Sequence, residues 1–202
     1  MHFESSSELF SKYNKVVEKP LIFVDFGCGP LTGGIALQNH FSDPSFHLHY
    51  VGIDISNEMI SKAKEFQNYQ ELFNPVNQHF EWLNDYIQLP EILLPLMQHL
   101  KEYSLIFNFS YFFASHSVDP QIVFATTQQI LQSLGDNTFW VLYQNPTAWS
   151  LHEKWTVYRN LLLQNLFVNK ALISNPFPYG YQDIFAEKPL NLYTTCEILR
   201  RN

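Results

Sequence analysis

The sequence predicts a doubly wound α/β sheet, mostly parallel, with helices on both faces and an antiparallel strand at the C-terminal edge. Two observations carry this expectation. Short apolar runs alternate with helical patterns from residue 21 to residue 166, as in β-α units whose strands are buried on both faces. The first of these runs, LIFVDF, breaks at GCGPLTGG before an apolar pattern resumes. Strand, glycine turn and helix in that order bring backbone N–H groups up to a ligand.

Each element has a local reason. Residues 5–18 read as a helix, with Ser5-Ser6-Ser7-Glu8 able to cap it and Leu9, Phe10, Tyr13, Val16 and Val17 at helical spacing. Pro20 ends it. Residues 21–26 form the first strand and 32–40 the first helix after the glycine turn, followed by a turn at Asp43-Pro44-Ser45. Residues 47–53 form the second strand, and Ser56-Asn57-Glu58 caps a helix over 59–66. After the break at Asn74-Pro75, 79–83 is a short third strand and 90–100 a helix that Pro95 shortens or kinks. The run YSLIFNFSYFF, residues 103–113, is the fourth strand. Asp119-Pro120 opens a helix to Leu134, stopped by Gly135. Residues 138–143 form the fifth strand, 149–166 a helix and 174–190 a loop rich in Pro and aromatics. The last strand, 191–199, follows a loop rather than a helix, and is expected at an edge.

Bulk properties narrow the class. A 202-residue chain with 46% hydrophobic residues builds a full core, and no linker or repeat divides it. We expect one domain: an N-terminal helix over 1–19, a binding core over 20–146, and a C-terminal helix, loop and edge strand over 147–202. A net charge of −7 without any basic run beyond Arg200-Arg201 argues against DNA or long RNA. Cys28 and Cys196 have neither metal-ligand spacing nor a disulfide framework, so both read as free thiols in a reducing compartment, with no metal site. The N-terminus lacks a signal-peptide pattern and no apolar run reaches spanning length, which predicts a cytoplasmic protein without membrane association.

In an open α/β sheet, ligands bind at the carboxyl ends of the strands. Four features fall there: the turn from Asp25 to Gly33, Asp54 after the second strand, Asn84-Asp85-Tyr86 after the third, and Asn108-Phe109-Ser110-Tyr111 at the end of the fourth. The glycine spacing is G-x-G-x-x-x-G, with Thr32 where a dinucleotide fingerprint has its third glycine, which disfavours NAD or FAD.

VDFGCGPLTGG followed by VGIDISNEMISKAKEF resembles the first two motifs of the class I S-adenosylmethionine-dependent methyltransferases, a Rossmann-like family. LNDYIQLP resembles their third, and YSLIFNFSYFFAS their fourth-strand segment. The resemblance implies S-adenosylmethionine as methyl donor, with S-adenosylhomocysteine as product. It implies that Gly27, Cys28 and Gly29 hold the methionine end and that Asp25 orients the loop or meets the amino group through water. Asp54 would bind the ribose hydroxyls, with Ile55 and Met59 against the adenine. Asp85 would meet the adenine amino group, the Tyr86 backbone a ring nitrogen, and Asn108 and Phe109 would line the methyl-bearing side. Pro30, Leu31 and Tyr86 depart from the usual residues and alter the shape of the site.

The acceptor is expected to be a small molecule. Methyl transfer needs in-line alignment in a site that excludes water, and a base where the acceptor must lose a proton. His116 and Tyr111 are the catalytic candidates, ahead of Asp119, Tyr143 and His152. Each feature also has a plainer reading: Asp54 as a helix cap, Asp85 as a turn residue, His116 as a surface histidine, Tyr13 as helix packing rather than a flap over the cofactor. Asn108–Tyr111 loosely resembles the Asn-Pro-Pro-Tyr loop of amino-methylating DNA enzymes but lacks its prolines, and a strand end lining a pocket is the better reading. The segment Phe177-Pro-Tyr-Gly-Tyr181 is either a substrate lid or loop packing. A cofactor-binding module without catalysis and a methyltransferase of RNA or protein acting in a complex are the alternatives.

Overall fold

The computed structural model describes residues 6–7, 10–11, 19–41, 46–69, 73, 76–146, 148–166, 177–183 and 190–201. Strands are β1 (Leu21–Phe26), β2 (Leu48–Ile53), β3 (Gln78–Leu83), β4 (Ser104–Ser110), β5 (Thr138–Pro146), β6 (Phe177–Asp183) and β7 (Leu190–Arg201). Helices are α1 (Thr32–His40), α2 (Asn57–Gln67), α3 (Leu89–Leu100), α4 (Pro120–Gln132) and α5 (Glu153–Leu166). All strands join one sheet in the order β3-β2-β1-β4-β5-β7-β6. β1 to β5 are parallel to one another, which makes the fold a Rossmann-like, mostly parallel α/β sheet.

The C-terminal end departs from expectation. β7 runs antiparallel to β5, but it is not the edge, because β6 pairs along its outer side. The stretch read as a loop over 174–190 contains β6. Pro178 and Gly180 argue against a central strand, yet an edge strand has one side free of ladder bonds and tolerates them. Among the described residues, helix is seen at Ser6, Ser7, Phe10 and Ser11 within the expected 5–18 helix. Tyr13, the turn at 43–45, the break at 74–75 and the side chains of 177–181 and Cys196 lie outside the described residues.

Two apolar layers sandwich the sheet. On one face, α1 and α2 pack Leu37, Ala36 and Ala63 against Phe23, Tyr50 and Ile106, with Phe10 edge-on to Phe23 at 5.9 Å. On the other, α3, α4 and α5 cover Phe26, Phe107 and Phe109 with Leu93, Val123 and Trp155. β1 is buried at every residue, as a strand flanked on both faces must be. Burial of each large side chain there stabilises the sheet by roughly 1.5–3 kcal/mol. Pro95 lies inside α3 without ending it.

The chain winds outward from β1 to β3 and returns to β4 on the other side of β1. This reversal opens a crevice at the carboxyl ends of β1 and β4.

Candidate ligand cleft

The β1–α1 turn is held by the end of β2. The N–H groups of Gly27 and Cys28 both donate to the Ile53 carbonyl, at 2.8 and 3.0 Å. Gly27 adopts φ +72°, a conformation that glycine enters at little cost. Gly33 is needed for space: a Cβ there lies 2.6 Å from Asp25 Oδ2. Leu31 caps α1 in the left-handed region at φ 72° and is buried, so the departure noted at Leu31 is an anchor beneath the turn.

Asp54 bridges the turn and the β2–α2 loop. Its Oδ2 accepts from the Gly29 N–H at 3.0 Å and its Oδ1 from the Ser56 N–H at 2.9 Å. The cap of α2 is a different residue, Ser56, whose hydroxyl accepts from the Met59 N–H. Asp85 does act as a cap, accepting from the Ile87 N–H at 2.9 Å to start a 3-10 turn over Tyr86–Gln88.

Under the turn lies a buried polar layer on the α1 face of the sheet. Asp25 accepts from the Tyr50 hydroxyl at 2.6 Å and from Asn108 Nδ2 at 2.8 Å. Burial raises its pKa to about 6 despite these two donors, and the charge of Asp54 adds to the rise. Burial also pushes the Cys28 thiol far up, which keeps it protonated. On the same face Gln144 Nε2 donates to the hydroxyls of Ser110 and Ser6, the latter at 2.8 Å. The opposite face at this level is aromatic, with Phe26 stacked on Phe109 at 4.4 Å.

A cleft in two communicating parts opens above this layer. The smaller part, about 260 Å3, is lined by Asp25, the turn from Gly27 to Pro30, Thr32, Gly33, Asp54, Met59 and Ser110. The larger, about 590 Å3, is lined by Ile55, Asn84, Asp85, Tyr86, Ile87, Tyr111, Phe112, Ser115, Ser117 and Val118 among others. Gly27, Asp54 and Ser110 border both parts. Asp25, Asp54 and Asp85 put carboxyl groups on the walls, and no Lys or Arg is among the described lining residues.

The structure thus gathers Asp25, Gly27, Cys28, Gly29, Asp54, Ile55, Met59, Asp85, Tyr86 and Tyr111 around one cleft. It does not bring Asn108 or Phe109 to the wall. Asn108 is fully buried beneath the turn on Asp25, and Phe109 sits in the aromatic layer against Phe26, Phe113 and Tyr158. β4 runs two residues further before Tyr111 turns the chain at φ 61°, so Ser110, Tyr111 and Phe112 reach the wall instead. His116 is exposed and absent from the lining, although Ser115 and Ser117 on either side belong to it. Its carbonyl accepts from Lys154 Nζ at 2.8 Å. Asp119 caps α4 by accepting from the Gln121 N–H. Tyr143 and His152 are bound to each other at 2.7 Å in the core. Ser110 belongs to the Asn108–Tyr111 segment that the sequence places at the end of the fourth strand, and the true end of β4 singles it out.

Comparison with solved structures places this architecture. A precorrin-8w decarboxylase of Methanobacterium thermoautotrophicum matches with a TM-score of 0.56 and 12% identity over 98% of this chain and 89% of its own. A precorrin-6y C5,15-methyltransferase of Geobacter metallireducens gives 0.54 and 9% over 98% and 89%. A SAM-dependent methyltransferase of Methanosarcina mazei gives 0.51 and 14% over 95% and 96%. The chain shares their fold. No family model matches the sequence, and no curated protein does. Among the described residues no helix is long and apolar enough to cross a membrane.

Proposed function

We propose that the cleft binds S-adenosylmethionine and that the protein transfers its methyl group to a small-molecule acceptor. The observation that carries this reading is Asp54 at the waist of a two-part cleft, tied to the Gly29 N–H of the glycine turn. In this reading the smaller part takes the methionine end, with Asp25 beneath its amino group. The larger part takes the adenosine: Asp54 faces the ribose hydroxyls, Ile55 and Met59 flank the adenine, and Asp85 with the Tyr86 backbone reads its edge. Each carboxylate of Asp54 and Asp85 already accepts one backbone N–H per bonded oxygen and keeps further lone pairs for a ligand. The carboxyl-lined walls suit a ligand with a sulfonium and an ammonium group.

Two of the three structural neighbours described above are methyltransferases by name. Transfer requires the acceptor to approach the methyl in line with the breaking bond. Tyr111 is the candidate that stands at the wall to meet it. Equilibrium dialysis against S-adenosylmethionine with a labelled methyl group tests the reading. One equivalent bound, displaced by S-adenosylhomocysteine and not by NAD, is the expected result; no retained label at high micromolar concentration contradicts it.

A further inference from the structure

The hydrogen bonds beneath the cleft carry one further step, which rests on the methyl-donor reading. Gln144 is fully buried on β5, opposite Ser110 in the parallel register of β4 and β5. Its amide nitrogen has two protons, and both are spoken for: one goes to Ser110 Oγ and the other to Ser6 Oγ. Its Oε1 has no partner among the described residues. Reversing the amide would leave two donors unpaired in place of one acceptor, so the assigned orientation is the less costly one.

This arrangement dictates what Ser110 can offer. A hydroxyl has one proton and two lone pairs. With a lone pair engaged by Gln144, the Ser110 proton remains to be directed elsewhere, and Ser110 borders both parts of the cleft at their junction. Polarisation by the amide donor strengthens the hydroxyl as a donor in turn. The same amide reaches Ser6, which is buried in the N-terminal segment. Ser6 and Ser110 therefore share one anchor, although they are far apart in sequence.

We propose that Ser110 is a ligand-binding residue at the waist of the cleft, that Gln144 is its positioning residue, and that Ser6 couples the seating of the N-terminal segment to cofactor affinity. By linkage, what holds Gln144 in place tightens the ligand, and bound ligand holds the segment more firmly.

Calorimetric titration of S-adenosylhomocysteine into the full chain tests this, using the wild type, Ser110→Ala, Ser110→Thr, Ser6→Ala and the double variant S6A/S110A. Thermal unfolding without ligand checks that each variant folds. We expect S110A to lose about tenfold in affinity, the size of one net hydrogen bond, and S110T to recover most of it because it keeps the hydroxyl. S6A loses about threefold, and S6A/S110A loses no more than S110A alone, because both act through one contact. Wild-type binding with unchanged affinity in S110A overturns the inference and leaves the methyl-donor reading standing. So do losses that simply add in the double variant, for the coupling through Gln144. Absence of binding to the wild type overturns the methyl-donor reading itself, and this inference with it.

Discussion

At neutral pH Asp25 is a buried carboxylate held by two donors, and the cost of burying its charge outweighs what Tyr50 and Asn108 return. Its folded pKa of about 6 stands above the ordinary 3.8. A carboxyl with a raised folded pKa binds its proton more tightly in the native state. Stability is therefore greatest below the unfolded value, falls as pH rises from about 4 to 6, and levels off above. A shift of this size corresponds to about 3 kcal/mol. Urea denaturation from pH 4 to 7.5 is expected to show that fall, and Asp25→Asn to flatten it. Asp54 satisfies two backbone N–H groups at the mouth of the turn. Asp54→Ala is expected to cost about 1–3 kcal/mol through those orphaned donors. It should also weaken S-adenosylhomocysteine at least a hundredfold in a calorimetric titration. A helix-capping role alone predicts no loss of affinity, and the capping hydroxyl belongs to Ser56.

Among the elements, the strands and helices up to β4 follow from patterns that one sequence displays. β1 is apolar at every residue but Asp25 because it is buried throughout, and Ser56 and Asp119 announce their helices by their caps. What the pattern could not show is where a strand ends when its neighbours are equally apolar. Residues 103–113 form one hydrophobic run, but Tyr111 turns it and Phe112–Ala114 fold into a 3-10 turn. The side chains beyond Ser110 then pack into the aromatic layer or face the cleft, and periodicity does not distinguish these fates. β5 presents the converse case. Gln144, Asn145 and Pro146 look like loop residues, yet they extend the strand, because Gln144 bonds Ser6 and Ser110 and Asn145 Nδ2 bonds the Leu151 carbonyl at 2.7 Å. Long-range partners such as these leave no local trace. The same limit explains why Asp54 stands out singly in the sequence, whereas Ser110 appears only as one of four residues at the end of the fourth strand. For the turn itself, Gly27→Ala is expected to cost about 1–2 kcal/mol, the price of a left-handed backbone, because its Cβ meets Phe112 no closer than 3.5 Å. Gly33→Ala forces an atom to 2.6 Å from Asp25 Oδ2, and should lose more in thermal unfolding than G27A.

Across the whole molecule, β7 ties the parallel sheet to α5. Glu197 on β7 accepts from Trp155 Nε1 at 2.8 Å and from Arg159 Nε at 2.6 Å, so one carboxylate ties β7 to α5. Trp155 in turn stacks on Tyr143 of β5 at 4.1 Å. Glu197→Gln removes the charge and one acceptor from a buried site, with Arg159 partly exposed to solvent. We expect a loss of about 2 kcal/mol, read as a lower urea midpoint at unchanged slope. The likeness to structures of 9–14% identity fixes the architecture, and the carboxyl-lined cleft at the β1–β4 crevice supports the donor reading. Titration of S-adenosylhomocysteine into the full chain by calorimetry tests that reading most directly. Saturable binding of one equivalent, lost in Asp54→Ala, is the result expected; no heat of binding at high micromolar concentration, from a protein shown to be folded, contradicts it.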